Sequence, residues 1–290
     1  MVINLWVFLK VLVFLIGFIL LISLLQFLIS IHPPRYYDRN IPEDYGLKYE
    51  DVSFMTSDKI NIKGWLITSK TSKGTVIVGH GYPADKSNVL PVVRFLYPEY
   101  NLLLYDHRYF GESSGLITTA GFKEVRDVKA AINFVNKRFG KQKPIALYGF
   151  SLSASAMLMA QPPVEAIIAE SPYADLERMI KRSYAIFGPL KYPFVQTTKA
   201  LAKIFLGINP KEVSPELAVK NISVPILIIH GEKDAQIPVD NAYAIKSSNN
   251  DIELWIVKGS GHGETYALEK EEYERRVKTF LKKHMSKNIN

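Results

Sequence analysis

Hydrophobic residues follow two different rhythms along this chain. Across residues 11–31 they run without a single charge, and at about 1.5 Å rise per residue this stretch of Leu, Ile, Val and Phe can cross the roughly 30 Å hydrocarbon layer of a bilayer. His32, Pro33, Pro34 and Arg35 end it, because neither proline can continue a helix, and residues 32–45 form a polar linker. Beyond the linker, apolar residues come in short runs of strand length. Residues 52–55 and 60–68 flank the turn Thr56-Ser57-Asp58-Lys59 and predict an antiparallel hairpin at a sheet edge. Residues 75–78, 101–105, 144–148, 164–169, 226–229 and 252–257 predict further strands. Between them lie helical stretches at 90–95, at 122–139, where Val125, Val128, Ile132 and Val135 share a face, and at 269–283. Apolar strands alternating with helices predict an α/β domain over residues 46–284, with a mostly parallel sheet covered by helices on both faces.

One segment breaks the alternation. Residues 172–213 are helical in character and rich in aromatic side chains, among them Tyr173, Tyr184, Phe187, Tyr192, Phe194 and Phe205, which predicts a helical cap inserted over the ligand-binding end of the sheet. Residues 285–290 read as a polar tail. A length of 290 residues with 48% hydrophobic content is ample for a buried core. A cleaved signal peptide would have a shorter apolar region and a small-x-small site, which residues 29–34 lack, so residues 1–31 are expected to remain as a single-pass transmembrane anchor. Lys10 on one side and Arg35 and Arg39 on the other leave its orientation open. The net charge of +8 is spread over lysines along the helices and the tail Lys282-Lys283-His284, with no basic-aromatic stripe. It suits a surface beside anionic lipid, and nucleic acid is not an expected partner. Zero cysteines exclude disulfides and thiolate metal sites.

Chemistry enters at Gly149-Phe150-Ser151-Leu152-Ser153, which falls at a strand-to-helix corner. In a G-x-S-x-G elbow the serine is held in a strained conformation clear of the sheet, and the residues two before and two after it must be small. Ser153 in place of the second glycine is a departure. Gly111-Glu112-Ser113-Ser114-Gly115 fits the pattern in full, but the preceding strand ends several residues earlier and no helix begins behind it, so Ser113 is expected to be a solvated loop serine. A serine nucleophile needs a base. His32 and His284 belong to the membrane boundary and the tail, His230 reads as structural, and His107 is an unsupported alternative. Of the remaining His80 and His262, His262 is favoured, because Gly259-Ser260-Gly261-His262-Gly263 is a flexible loop after the last strand. Asp234, in Gly231-Glu232-Lys233-Asp234 after the preceding strand, is the expected acid, with Glu170 in reserve. Oxyanion donors are expected from the backbone N–H of Leu152, at the helix start, and of Tyr82, in the loop Gly79-His80-Gly81-Tyr82 that His80 would shape.

These residues resemble the α/β-hydrolase superfamily, in particular its branch of small membrane-associated serine esterases and monoacylglycerol-lipase-like or aminopeptidase-like proteins. The resemblance spans about residues 46–284. It rests on His80-Gly81, on the run from Asp106 to Gly115 that looks like D-x-R-G-x-G-x-S-x-G, on the elbow, on His230 to Asp234 and on Gly261-His262-Gly263. Tyr109 stands where that pattern has a glycine. The resemblance implies that Ser151, deprotonated by His262, attacks an ester carbonyl, and that water hydrolyses the acyl-enzyme without metal or organic cofactor. Cap and anchor together suggest an apolar acyl group on a small-molecule or lipid ester. A thioesterase or peptidase using the same residues, and a non-catalytic binding protein on the same fold, are the alternatives.

Overall fold

The computed structural model describes residues 4–37 and 40–286; Arg39, the start of the anchor and the end of the tail lie outside the described residues. The chain opens with helix α1 (Leu5–Ile31), the one described helix long and apolar enough to cross a membrane. The strands follow as β1 (Glu50–Met55), β2 (Asn61–Ile67), β3 (Thr75–Gly79), β4 (Asn101–Tyr105), β5 (Ile145–Phe150), β6 (Ala166–Glu170), β7 (Ile226–Gly231) and β8 (Glu253–Val257). They form one 8-stranded sheet in the order β1-β2-β4-β3-β5-β6-β7-β8. The β1–β2 and β2–β4 pairs are antiparallel, and every other pair is parallel. This is the mostly parallel sheet that the alternating pattern predicts, and the strand arrangement of the α/β-hydrolase fold that the resemblance implies.

Helices α2 (Lys86–Val93), α3 (Glu124–Phe139) and α4 (Leu152–Ala160) come before β6. Helix α2 starts four residues ahead of the sequence expectation because Asp85 caps it, its carboxylate accepting the Ser87 N–H at 2.9 Å. Between β6 and β7 lie α5 (Leu176–Ser183), α6 (Lys191–Leu201) and α7 (Pro215–Ala218); α8 (Asp240–Ser248), α9 (Thr265–Leu268) and α10 (Lys270–Met285) complete the chain. Strand alternation sorts side chains to two buried layers. Ile145 and Leu147 of β5 pack with Val128, Ile132 and Met157 of α3 and α4. Ala146 and Tyr148 face the opposite way, with Leu90 of α2 and Tyr273 and Val277 of α10. Both layers are buried hydrophobic clusters, so the strand ends that carry polar residues are fixed by a core on each side.

Helix α1 is not detached from this body. Ile19, Ile22, Ser23, Gln26, Phe27, Ser30 and Ile31 are shielded, whereas the residues between them are exposed, which is the i, i+3, i+4, i+7 stripe of a helix packed on one side. The partner is the segment between β6 and β7. Ser23 donates its hydroxyl to the Phe194 carbonyl at 3.4 Å, and the rings of Phe18 and Phe27 lie 6.2 and 6.1 Å from those of Phe194 and Phe205.

Candidate active site

At the end of β5 the backbone turns sharply. Ser151 has φ 53° and ψ −107°, a conformation that L-residues avoid, and α4 begins at the next residue. The turn is enforced on both sides. The Ser151 N–H donates to the Glu170 carbonyl on β6 at 2.8 Å, and the Ser151 carbonyl accepts the Ser155 N–H at 3.1 Å. A Cβ on Gly149 would lie 2.5 Å from the Ala154 nitrogen, so only glycine fits there. One on Gly81 would lie 2.7 Å from the Phe150 ring and 3.3 Å from Ser151 Cβ, which shows how closely the loop after β3 is laid against this corner. The Leu152 amide is the first of α4, whose first-turn N–H groups have no acceptor inside the helix.

The loops after β7 and β8 meet beside the corner. A Cβ on Gly231 would come 2.5 Å from the Gly261 carbonyl oxygen, so these loops pack backbone to backbone. Asp234 is held by the N–H groups of Gln236 and Ile237, which donate to Oδ1 at 2.9 and 2.8 Å, and its Oδ2 accepts from His262 Nδ1 at 2.7 Å. Burial works against the Asp234 charge, yet the hydrogen bonds from His262 and Ile237 outweigh it and hold this carboxyl below the usual range. The His262 ring lies 4.9 Å from that of Phe150, the residue immediately before Ser151. With Nδ1 donating to Asp234, the other ring nitrogen is left as the basic one.

Ser151, Leu152 and Tyr82 line a cavity of about 300 Å³. Its walls are mainly apolar, with Ile180 and Leu206 from the segment between β6 and β7, and Phe27 and Ile31 from α1. That α1 supplies a wall is invisible to a reading of it as an anchor. The available signal is polarity: Ser23, Gln26 and Ser30 all fall on the shielded stripe of a helix that is apolar from residue 11 onward but for these three.

Other candidates take different places. Ser113 is a correction: it is buried, donating to the Asp106 carbonyl at 2.7 Å and accepting the Lys63 N–H at 2.9 Å, because it ties β2 to the loop after β4. Tyr109 has φ 74°, the conformation for which a glycine is the ordinary choice, and its hydroxyl donates to the Pro33 carbonyl at 2.6 Å, fastening the linker. The Glu170 carboxylate is occupied by the hydroxyls of Tyr148 (2.5 Å), Tyr273 (2.7 Å) and Thr265. His80 is buried, with Nδ1 against the Gly81 carbonyl at 2.7 Å and Nε2 accepting the His107 N–H at 3.0 Å. Burial and the neighbouring His107 push its pKa down to about 3. His230 Nε2 donates to the Ile237 carbonyl at 2.8 Å.

A second polar constellation escaped sequence reasoning. Ser153 Oγ lies 2.6 Å from His107 Nε2, and His107 Nδ1 lies 3.2 Å from Asp127 Oδ2. All three are fully buried. The Ser153 hydroxyl donates to the His80 carbonyl at 2.6 Å, and Asp127 also takes the Arg108 guanidinium at 2.8 Å.

Comparison with known proteins agrees with this fold. Residues 115–288, more than half of the chain, match the model of the prolyl oligopeptidase family. The uncharacterised protein YqkD of Bacillus subtilis is 28% identical over 229 residues, covering 76% of this chain and 75% of its own. An esterase of Pyrococcus furiosus has a solved structure with a TM-score of 0.74 and 30% identity, covering 88% of this chain and 98% of that one. The Penicillium α/β hydrolase GrgF, at 23% identity and a TM-score of 0.65, covers 83% of this chain and 100% of its own and shares the fold. The chain is a hydrolase of the α/β-hydrolase superfamily and belongs to its prolyl oligopeptidase family.

Proposed function

We propose that this protein is a membrane-anchored serine hydrolase that cleaves carboxylic esters with an apolar acyl group. The observation that carries the reading is the Asp234–His262 hydrogen bond of 2.7 Å beside a serine strained at φ 53°, on the wall of an apolar cavity. In this mechanism His262 takes the Ser151 proton as the hydroxyl attacks the ester carbonyl, while Asp234 stabilises the imidazolium. The backbone N–H groups of Leu152 and Tyr82 hold the oxyanion. Collapse of the tetrahedral intermediate expels the alcohol, which takes its proton from His262. Water, deprotonated by His262, then attacks the acyl-enzyme; the acid leaves and the Ser151 hydroxyl is restored. Helix α1 serves as the membrane span, and its length and composition support that role.

Labelling with a fluorophosphonate probe tests the assignment. Wild type and Ser113→Ala are expected to label, Ser151→Ala not at all, and His262→Ala at a small fraction of the wild-type rate. Labelling of Ser151→Ala at the wild-type rate would sink the assignment. The family match keeps peptide amides as the rival substrate, and the apolar cavity, which reaches into α1, favours acyl esters over polar peptide backbone. Rates on one acyl chain presented as ester, thioester and anilide separate the readings: the ester should lead.

A further inference from the structure

The cap and α1 run side by side in the same direction. Phe194 sits against Phe18 and, with Tyr184 and Val195, against Ile19 and Ile22, whereas Ala202 and Phe205 sit against Phe27. As α1 advances toward the hydrolase domain, the cap advances with it. Just before α6, the turn Ala185–Leu190 (Ala-Ile-Phe-Gly-Pro-Leu) lies at the end farthest from the sheet, where the Phe187 ring stacks on Phe194 at 4.4 Å. This tip is apolar and open: Ile186 is 89% exposed and Leu190 74%. Ile204 (74%) and Phe205 (66%) are exposed toward the other end.

A length argument decides what covers this surface. Residues 5–17 of α1 are free of the rest of the protein and reach about 20 Å, which falls short of the roughly 30 Å hydrocarbon layer. If α1 spans the bilayer, about 10 Å of the layer must be crossed by the part of α1 that the cap accompanies. Starting the span after Lys10 sinks the cap further. The chemistry of the cap follows the same gradient, with its most apolar turn deepest and Lys199 and Lys203 nearer the hydrolase domain. Lys191 is the charged exception at the tip; its ammonium would lie roughly 10 Å below the boundary, with a long stem that can snorkel toward it.

We propose that the cap is a second membrane-embedded element: Ala185–Leu190 and the start of α6 lie within the hydrocarbon of the leaflet that holds the last turns of α1. The proposal rests on the reading of α1 as a membrane span. With that depth, Gln26, Phe27 and Ile31, which wall the cavity, stand at the headgroup boundary of the same leaflet. A lipid ester bond lies at that level, so the cavity meets such a substrate without lifting it into water.

The absence of cysteine makes the test direct, since any introduced thiol is unique. Full-length Val13→Cys, Ile186→Cys, Leu190→Cys, Phe205→Cys and Lys141→Cys proteins, each confirmed by fluorophosphonate labelling to be folded, are tagged with a small fluorophore. They are reconstituted in phosphatidylcholine vesicles carrying a doxyl quencher either deep in the acyl chain or near the headgroup. The expected result is strong quenching by the deep probe at positions 13, 186 and 190, quenching mainly by the shallow probe at 205, and none at 141. Quenching at 13 with none at 186 and 190 overturns the proposal while leaving the anchor in place. Disulfide-linked dimers of Ile186→Cys in that case would assign the tip to a second copy of the chain. No quenching at 13 overturns the membrane span itself, and the proposal with it.

Discussion

Ser151 and Ser153 stand on one turn of chain, and a histidine and an aspartate accompany each. The two regions differ in access, strain and the direction of the proton. Ser151 has left-handed backbone, lines a cavity and lies beside a histidine whose Nδ1 is already committed to Asp234. Ser153 has ordinary helical surroundings and no exposure, and its own proton goes to the His80 carbonyl, so His107 has nothing to abstract. Asp127, shared between His107 and Arg108, is a structural anion and not a partner dedicated to one imidazole. Matching atoms at hydrogen-bond distance do not by themselves make a nucleophile; the proposed assignment to Ser151 rests on an open face and on a histidine nitrogen left free to accept.

The comparison can be broken at either end. The largest expected effect is on turnover of a p-nitrophenyl ester, where Ser151→Ala should cost roughly a hundred-thousandfold or more in kcat. Equal loss in Ser153→Ala would erase the distinction drawn here. Next, Asp234→Asn should lower kcat roughly ten-thousandfold with little change in KM, because it alters the histidine tautomer and leaves substrate contacts intact. In the buried region the effects move to stability. Asp127→Ala takes from the buried Arg108 one of its two carboxylate partners, leaving Asp58, and removes the carboxylate from His107 Nδ1; it should lower the free energy of unfolding by about 3 kcal/mol in a urea titration. A fold that tolerates this change within error would mean that the inner network carries little.

Smaller again is Ser153→Ala, which leaves the His80 carbonyl and His107 Nε2 without that hydroxyl. A loss of about 1–3 kcal/mol is expected, with ester turnover kept within a few-fold. The last effect is on pH. His80 is held neutral by burial, with its folded pKa pushed to about 3 from an ordinary value of 6.5, so only the unfolded chain takes up that proton between these limits. Stability contributed by neutral His80 is therefore fully present above 6.5 and declines as pH falls toward 3, by up to about 1.4 kcal/mol per pH unit. Urea midpoints at descending pH should show a shallower slope in His80→Asn; an unchanged slope would remove His80 from the account.

Much of this was legible in the chain. Strands buried on both faces announce themselves as apolar runs, and Ser151, Asp234 and His262 each follow such a run beside glycines that let loops come together. The inner network was hidden because Asp127 sits in the first turn of α3, 20 residues after His107, where an aspartate is ordinary and nothing local distinguishes a buried one from a solvated one. Ser113 was misread for a related reason: the groups that bury it are backbone atoms of Lys63 and Asp106, which no side-chain pattern reports. The shielded stripe of α1 was obscured because lipid and cap both accept apolar residues, so a sequence rich in Leu and Phe records neither face distinctly.

That stripe has a practical consequence. Hydrophobic leaders are commonly trimmed to obtain protein that behaves in water. Cutting this chain after residue 31 would remove Gln26, Phe27, Ile29, Ser30 and Ile31 together with the rest of α1, and with them a wall of the cavity. The trimmed polypeptide would be a catalyst with a slot where the intact one has a chamber, and its substrate profile would describe the trimming as much as the enzyme. Specificity should be screened on the untruncated chain.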